Sequence, residues 1–263
     1  MVGRLRRIRR KLKARLIAAG LSLAIIITIG GLFGAILARA APSWWRQYRP
    51  TDELRERAVR IENAAITHLT LVRPADPEWE RADDPGPWHS KAWSIMVKEA
   101  DASAWLTARL PEWIDGQADL SGWPDALSQP QVHFDDGLIR LGVLLRRHDG
   151  DRILTASFRP QIDANGSLWL HTNWVHVGRL PLPAQLILAR AGHRLESYLP
   201  ESIADDPYSA SFIDVLRGKA PLAIKPELSL QDGRVVRLLA IRVREGRIEL
   251  DCRTESRDTL AKH

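Results

Sequence analysis

Apolar and polar residues alternate along this chain in three distinct ways, and each way predicts a different kind of element. Residues 17–38 read IAAGLSLAIIITIGGLFGAILA, 22 positions without a charged side chain. At 1.5 Å rise per residue, about 20 such residues cross the hydrocarbon core as a helix. Ser22 and Thr28 are its only hydroxyl-bearing positions, so no polar face is available for a soluble helix. A second pattern begins after Pro50. Leu54, Ala58, Ile61, Ala65 and Leu69 recur at spacings of three and four, the stripe of an amphipathic helix running to about Val72. Thr51 is placed to cap it, and Asp52 and Glu53 complement its dipole.

The third pattern is two-residue alternation. Lys91–Glu99 places Trp93, Ile95 and Val97 on one face of a strand, and Asp101 is expected to cap a short helix ended by Pro111. From Gln131 onward, strands at Gln131–Phe134, Leu138–Arg147, 154–162 and Ser167–Val177 are separated by Asp135-Asp136-Gly137, Asp149-Gly150-Asp151 and Asn165-Gly166. Long strands joined by short turns make an antiparallel meander. Pro181 and Pro183 then lead into an expected helix to about Leu199, and Ser209–Arg217 into a second, with Gly218 as its C-terminal cap. Strands at Leu222–Leu230, Val235–Arg244 and Arg247–Arg253 close the chain. On regular alternation, Val235, Arg237, Leu239, Ile241 and Val243 share a face. The expected architecture is α+β, with one curved antiparallel sheet of six to eight strands packed on helices. Its expected divisions are a basic tail at 1–16, a transmembrane helix at 17–38, a juxtamembrane segment and amphipathic helix at 39–73, and an exported domain at 74–263. The proline-rich stretch from Pro74 to Pro87 reads as loop.

Charge changes the picture twice. The formal total is +6, which by itself suggests a nucleic-acid binder, yet the first fifteen residues carry eight cations and no acid. Taking those +8 from +6 leaves residues 16–263 at −2. The basicity is a topogenic tail, and nucleic acid is not indicated as a partner. The same asymmetry orients the span with the N-terminus cytoplasmic and the C-terminal domain extracytoplasmic, periplasmic in a two-membrane cell. Trp44, Trp45 and Tyr48 follow the span, where amphipathic rings sit at headgroup level. A cleaved signal peptide is the competing reading, since Ala38-Arg39-Ala40 before Ala41 has the small-x-small form. The apolar stretch is longer than a usual signal h-region, which favours a retained anchor, and both readings export the domain. Gly30, Gly34 and Ala38 form a small-residue stripe able to pair two such helices as a homodimer.

Candidate chemistry is sparse. Serine-elbow, zinc-protease and phosphate-loop motifs are all missing from the sequence, so no catalytic activity and no cofactor is expected. Cys252 is the sole cysteine, which leaves no intramolecular disulfide. It alternates with Ile248 and Leu250 as a small buried hydrophobe. His171 and His176, five apart on a strand, are expected on opposite faces, and a zinc site using them with His133 or His148 is the weaker reading. Asp135-Asp136 and Asp205-Asp206 sit beside turns, which explains them without acid–base chemistry. Ten tryptophans remain. They read either as packing or as an aromatic-lined groove for an acyl chain, a glycan or a protein.

Four short segments resemble the YpmS-like family of single-pass bacterial envelope proteins: Ala102-Ser103-Ala104-Trp105-Leu106, Phe134-Asp135-Asp136-Gly137, Phe158-Arg159-Pro160, and Gly178-Arg179-Leu180-Pro181-Leu182-Pro183. Ser103-Ala104 stands where the family pattern has Leu-Asn. The resemblance implies an exported domain of long strands with a non-enzymatic, lipid-associated role, and it carries no catalytic residues. Two functional expectations result. The first is a membrane-tethered binding domain whose partners are the bilayer and a lipid or apolar ligand. The second is a structural or assembly subunit of an envelope protein complex.

Overall fold

The structure is a computed structural model and describes residues 28–49, 51–81, 88–117, 122–148, 150–183, 214–215 and 218–256. Residues 17–27 of the expected span therefore lie outside the described residues, as do the expected helices over 184–199 and most of 209–217. What is described of the span, 28–39, is helical (α1). No helix among the described residues is long and apolar enough to cross a membrane.

The amphipathic stripe folds as α2 (Asp52–Thr70), and the Thr51 hydroxyl accepts from Leu54 N at 3.2 Å. The expected proline-rich loop contains one short helix, α3 (Pro77–Glu80), because Asp76 caps it and Pro77 opens it. After β1 (Trp93–Lys98), α4 begins at Glu99, two residues before the expected cap Asp101. Pro111 does not simply terminate a helix. It occupies the first turn of α5 (Leu110–Asp115), where its missing N–H costs no hydrogen bond.

Nine strands among the described residues form two antiparallel sheets rather than one. β2 (Leu127–Asp135), β3 (Leu138–Leu145), β4 (Arg152–Ile162), β5 (Leu168–Val177) and β6 (Leu180–Pro183) pair in sequence order. The Leu180–Pro183 segment, expected to lead into a helix, is an edge strand, a place where proline's missing donor is harmless. The other sheet has the order β1-β9-β8-β7, with β7 (Glu227–Ser229), β8 (Arg234–Arg244) and β9 (Arg247–Ser256). The chain's C-terminal hairpin thus accepts a strand from 150 residues earlier, pairing Trp93 with Cys252 and Lys98 with Arg247. No local pattern could reveal that pairing.

The sheets meet where their hairpin turns interlock. Gly137 N donates to Val243 O at 3.1 Å, and Gly246 N donates to Phe134 O at 3.0 Å. Val132, Phe134 and Val243 form the buried core there, with Ala102, Leu106, Ile139, Ile241 and Ile248 packed around them. α4 lies along β2, and α2 packs on α4. Arg109 joins the two helices by donating to Glu62 at 2.9 Å, which with Trp105 holds the Glu62 carboxyl below its ordinary value.

A bulge interrupts β8, because Leu238 pairs with Cys252 and Ala240 with Asp251. Leu239 is the extra residue, so Val235 and Arg237 lie on the face opposite Ile241 and Val243, not on one shared face. On the outer face beyond the bulge, Arg242 bridges Asp251 at 2.5 Å, and Ser94 donates to Asp251 at 2.6 Å. Both contacts, the guanidinium first, hold the Asp251 carboxyl below its usual range. A depressed folded-state value stabilises the fold above about pH 4 and is lost as pH falls further. The Asp251→Asn variant is therefore expected to lose stability at pH 7 yet to show a flatter decline of Tm below pH 4. Melting curves across that range test this, and an unchanged acid limb would sink it.

Candidate functional site

The feature that organises a site is the junction between α1 and the five-stranded sheet. α1 ends at Arg39, and its last carbonyls face the turn between β5 and β6. Arg179 N donates to Leu37 O at 2.8 Å, and Arg179 Nε donates to Ala41 O at 2.7 Å. The backbone amide thus adds a bond to a carbonyl of the last helical turn, and the guanidinium, placed just past the helix end, complements the helix dipole. Gly178, at φ +60°, makes the approach possible. A Cβ there would lie 2.6 Å from Leu37 O and Ala38 O and 2.7 Å from Ala40 O.

The chain then lies across the sheet. Gln131 clamps it by donating to Arg46 O at 2.6 Å and accepting from Arg46 N at 3.2 Å. Trp44 stacks on His133, with centroids 5.4 Å apart and planes at 7°. His133 Nδ1 meets Glu99 at 2.7 Å, and the same carboxylate oxygen accepts from Phe134 N at 3.0 Å. Both indoles sit over Gly142, where a Cβ would come within 2.7 Å of Trp44 and 2.8 Å of Trp45. Trp44 and Trp45, expected at headgroup level, thus rest at least in part on the sheet. Tyr48 lines a smaller hollow with Gln47, Arg49 and the first turn of α2. Of the small-residue stripe, a Cβ added at Gly30 or Gly34 would meet nothing within 4 Å outside its own helix among the described residues, whereas the Ala38 carbonyl is packed on Gly178.

Between the crossing segment and the sheet is a cavity of about 600 Å³. Pro42, Ser43, Trp44 and the Gly178-Arg179 turn wall one side. The sheet supplies Leu138 and Arg140 from β3, Thr155 and Ser157 from β4, and Trp174 and His176 from β5. Register explains why they converge: Arg140 is opposite Ser157, which is opposite Trp174, while Thr155 is opposite His176. Cross-strand neighbours sit about 5 Å apart, so the row spans about 10 Å. Thr155 and Ser157 are buried. Arg140 gives one Nη to Asp135 at 2.5 Å. Burial first, then the Arg140 charge, holds the His176 imidazole below its ordinary value, so it is neutral at pH 7.

The bulge in β5 corrects the expectation for the histidines. Thr172 pairs with Phe158 and Trp174 with Ser157, leaving Asn173 as the extra residue. His171 is opposite Arg159 and His176 is opposite Thr155. Because Arg159, Ser157 and Thr155 alternate onto one face, both histidines share it. Among the described residues no three His, Cys, Asp or Glu side chains are placed to hold a metal ion. Cys252 is 4 % exposed, and burial pushes its thiol up to about 11.

Of the ten tryptophans, Trp44 and Trp174 line the cavity. Others are tied locally: Trp105 Nε1 to Glu62, Trp123 Nε1 to Leu127 O, Trp169 Nε1 to Asp163, and Trp93 beneath the Arg73 guanidinium at 3.6 Å. The polar residues of the cavity carry no sequence motif. Their only signal was alternation, once the bulge at Asn173 is known. Comparison with known protein families, with characterised proteins and with solved structures finds no match.

Proposed function

We propose that this chain is a membrane-tethered, extracytoplasmic binding domain that holds a lipid in the cavity where the anchor meets the sheet. The observation that carries this reading is the placement of that cavity, walled by the residues that immediately follow the apolar helix. If 17–38 spans the bilayer, a lipid leaving the outer leaflet reaches Pro42, Trp44 and Trp174 without crossing open water. The exposed Ile29, Leu32, Phe33 and Ile36 of α1, each more than half accessible, suit acyl-chain contact. Trp174 is 48 % exposed at the cavity and offers the apolar wall.

A second reading, an assembly subunit of an envelope complex, rests on a different surface. Leu228 is exposed on the short edge strand β7, where a partner strand could add.

One experiment separates the two. A photoactivatable phenylalanine analogue replaces Trp174 in the full chain, and a second variant carries it at Leu228. Irradiation in cells is expected to give lipid adducts at 174. Protein adducts at 228 with no lipid at 174 favour the subunit, and silence at 174 in a folded variant ends the lipid reading.

A further inference from the structure

Resting on that lipid reading, we infer that the cavity is a phosphate site and selects ligands bearing an anionic phosphate group over zwitterionic or neutral ones. Its polar wall is cationic and donor-rich. Arg140 and Arg179 line it, and no carboxylate does among the described residues. Asp135 occupies one Nη of Arg140 and leaves that guanidinium further donors. Arg179 spends Nε on Ala41 O and no carboxylate among the described residues neutralises it. Each guanidinium is thus held in place with further N–H donors on its fork, the geometry best matched to phosphate oxygens.

The neutral groups fit the same ligand. Thr155 and Ser157 line the cavity, and each hydroxyl there is a donor that an anionic oxygen can accept from. His176, on the other side of Thr155, is a further ring donor. The cationic character continues outward: Arg159 alternates onto this same face of the sheet, beyond Ser157. An acyl chain alone would gain nothing from this wall. Burying two arginines against hydrocarbon would instead be penalised.

A phosphate group has two sources, a lipid headgroup or a soluble phosphomonoester, and the test separates them. The full chain is reconstituted in nanodiscs containing equal phosphatidylcholine and phosphatidic acid. Native mass spectrometry then reads the lipid retained after the disc is stripped. Phosphatidic acid is expected in roughly tenfold excess, the size of one charge-assisted bond. R140Q should erase that excess, R140K should restore most of it, and R242Q on the other sheet should leave it intact. Thermal melts confirm that each variant is folded. Equal retention of the two lipids overturns the phosphate assignment while leaving the lipid reading standing. Displacement of phosphatidic acid by glycerol 3-phosphate or inorganic phosphate assigns the site to a soluble phosphate and ends the lipid reading. If no lipid is retained and neither soluble phosphate raises Tm, both are overturned.

Discussion

Replacing Gly178 by valine should detach α1 from the five-stranded sheet while leaving both sheets paired. The site tolerates no side chain for two independent reasons. Its φ of +60° is a left-handed conformation that costs a β-branched residue about 1–3 kcal/mol. Its Cβ direction is filled by the Leu37, Ala38 and Ala40 carbonyl oxygens at 2.6–2.7 Å, and these are backbone, so no rotamer change relieves the overlap. Either the turn shifts or α1 withdraws. Withdrawal of α1 alone, with Trp44 and Arg46 still seated on the sheet, breaks only the bonds from Arg179 to Leu37 and Ala41, whereas shifting the turn strains the β5–β6 pairing. Withdrawal is the smaller loss. Limited trypsinolysis of the full chain should then cut faster at Arg39, by about the factor expected for losing two hydrogen bonds, ten- to a hundredfold. Tm should fall by only a few degrees. An unchanged cleavage rate with a large drop in Tm would mean that the junction is rigid and the sheet yields instead. On the lipid reading, adducts at position 174 should become fewer, because Pro42 moves with the helix end and no longer walls the cavity.

How far the sequence led depends on whether structure was written locally. Thr51 capping, the α2 stripe and the Asp135-Asp136-Gly137 and Asn165-Gly166 turns were all readable, because each depends on neighbours within four residues. Strand existence was readable for the same reason. The division into two sheets was not, since β1 finds β9 across 150 residues and nothing in either strand names its partner. Bulges did the most damage to residue-level inference. Asn173 and Leu239 each add one residue, and each flips every side chain beyond it to the other face. That is why His171 and His176 share a face against their spacing, and why Val235 and Val243 do not share one. A third irregularity, between Ser128 and Gln131, places Gln129 at φ 52°. The cavity depends on one of these bulges and on a helix end reaching a turn 140 residues away, so its residues looked like ordinary strand positions. Gly142 and Gly178 were the two positions where the sequence carried a trace: a glycine inside a strand and one opening a proline-rich edge both mark close approach.

The most consequential buried polar residue is Ser103, and its removal should cost more than its size suggests. β2 is an edge strand of its sheet, with β3 on one side only. On the open side its backbone would be buried under α4 without partners. Ser103 supplies both: its hydroxyl donates to Val132 O at 2.9 Å and accepts from Val132 N at 3.1 Å. Thr107 continues the series by donating to Pro130 O at 2.8 Å, and Glu99 by accepting from Phe134 N at 3.0 Å. α4 therefore completes the edge of the sheet through three side chains spaced four apart, one per turn. Ser103 is 2 % exposed, so water cannot replace its hydroxyl. Ser103→Ala deletes one oxygen but strands a buried N–H and a buried C=O, about 2–6 kcal/mol at 1–3 kcal/mol per group. For a folded body of this size that lowers Tm by about 5–25 °C. Thr107→Ala, at a half-buried position with a single bond, should cost about 1 kcal/mol. Denaturant unfolding of the two variants decides the matter. A Ser103→Ala loss no larger than that of Thr107→Ala would mean the edge of β2 is satisfied some other way, and that α4 is held to the sheet by apolar packing at Ala102 and Leu106 alone.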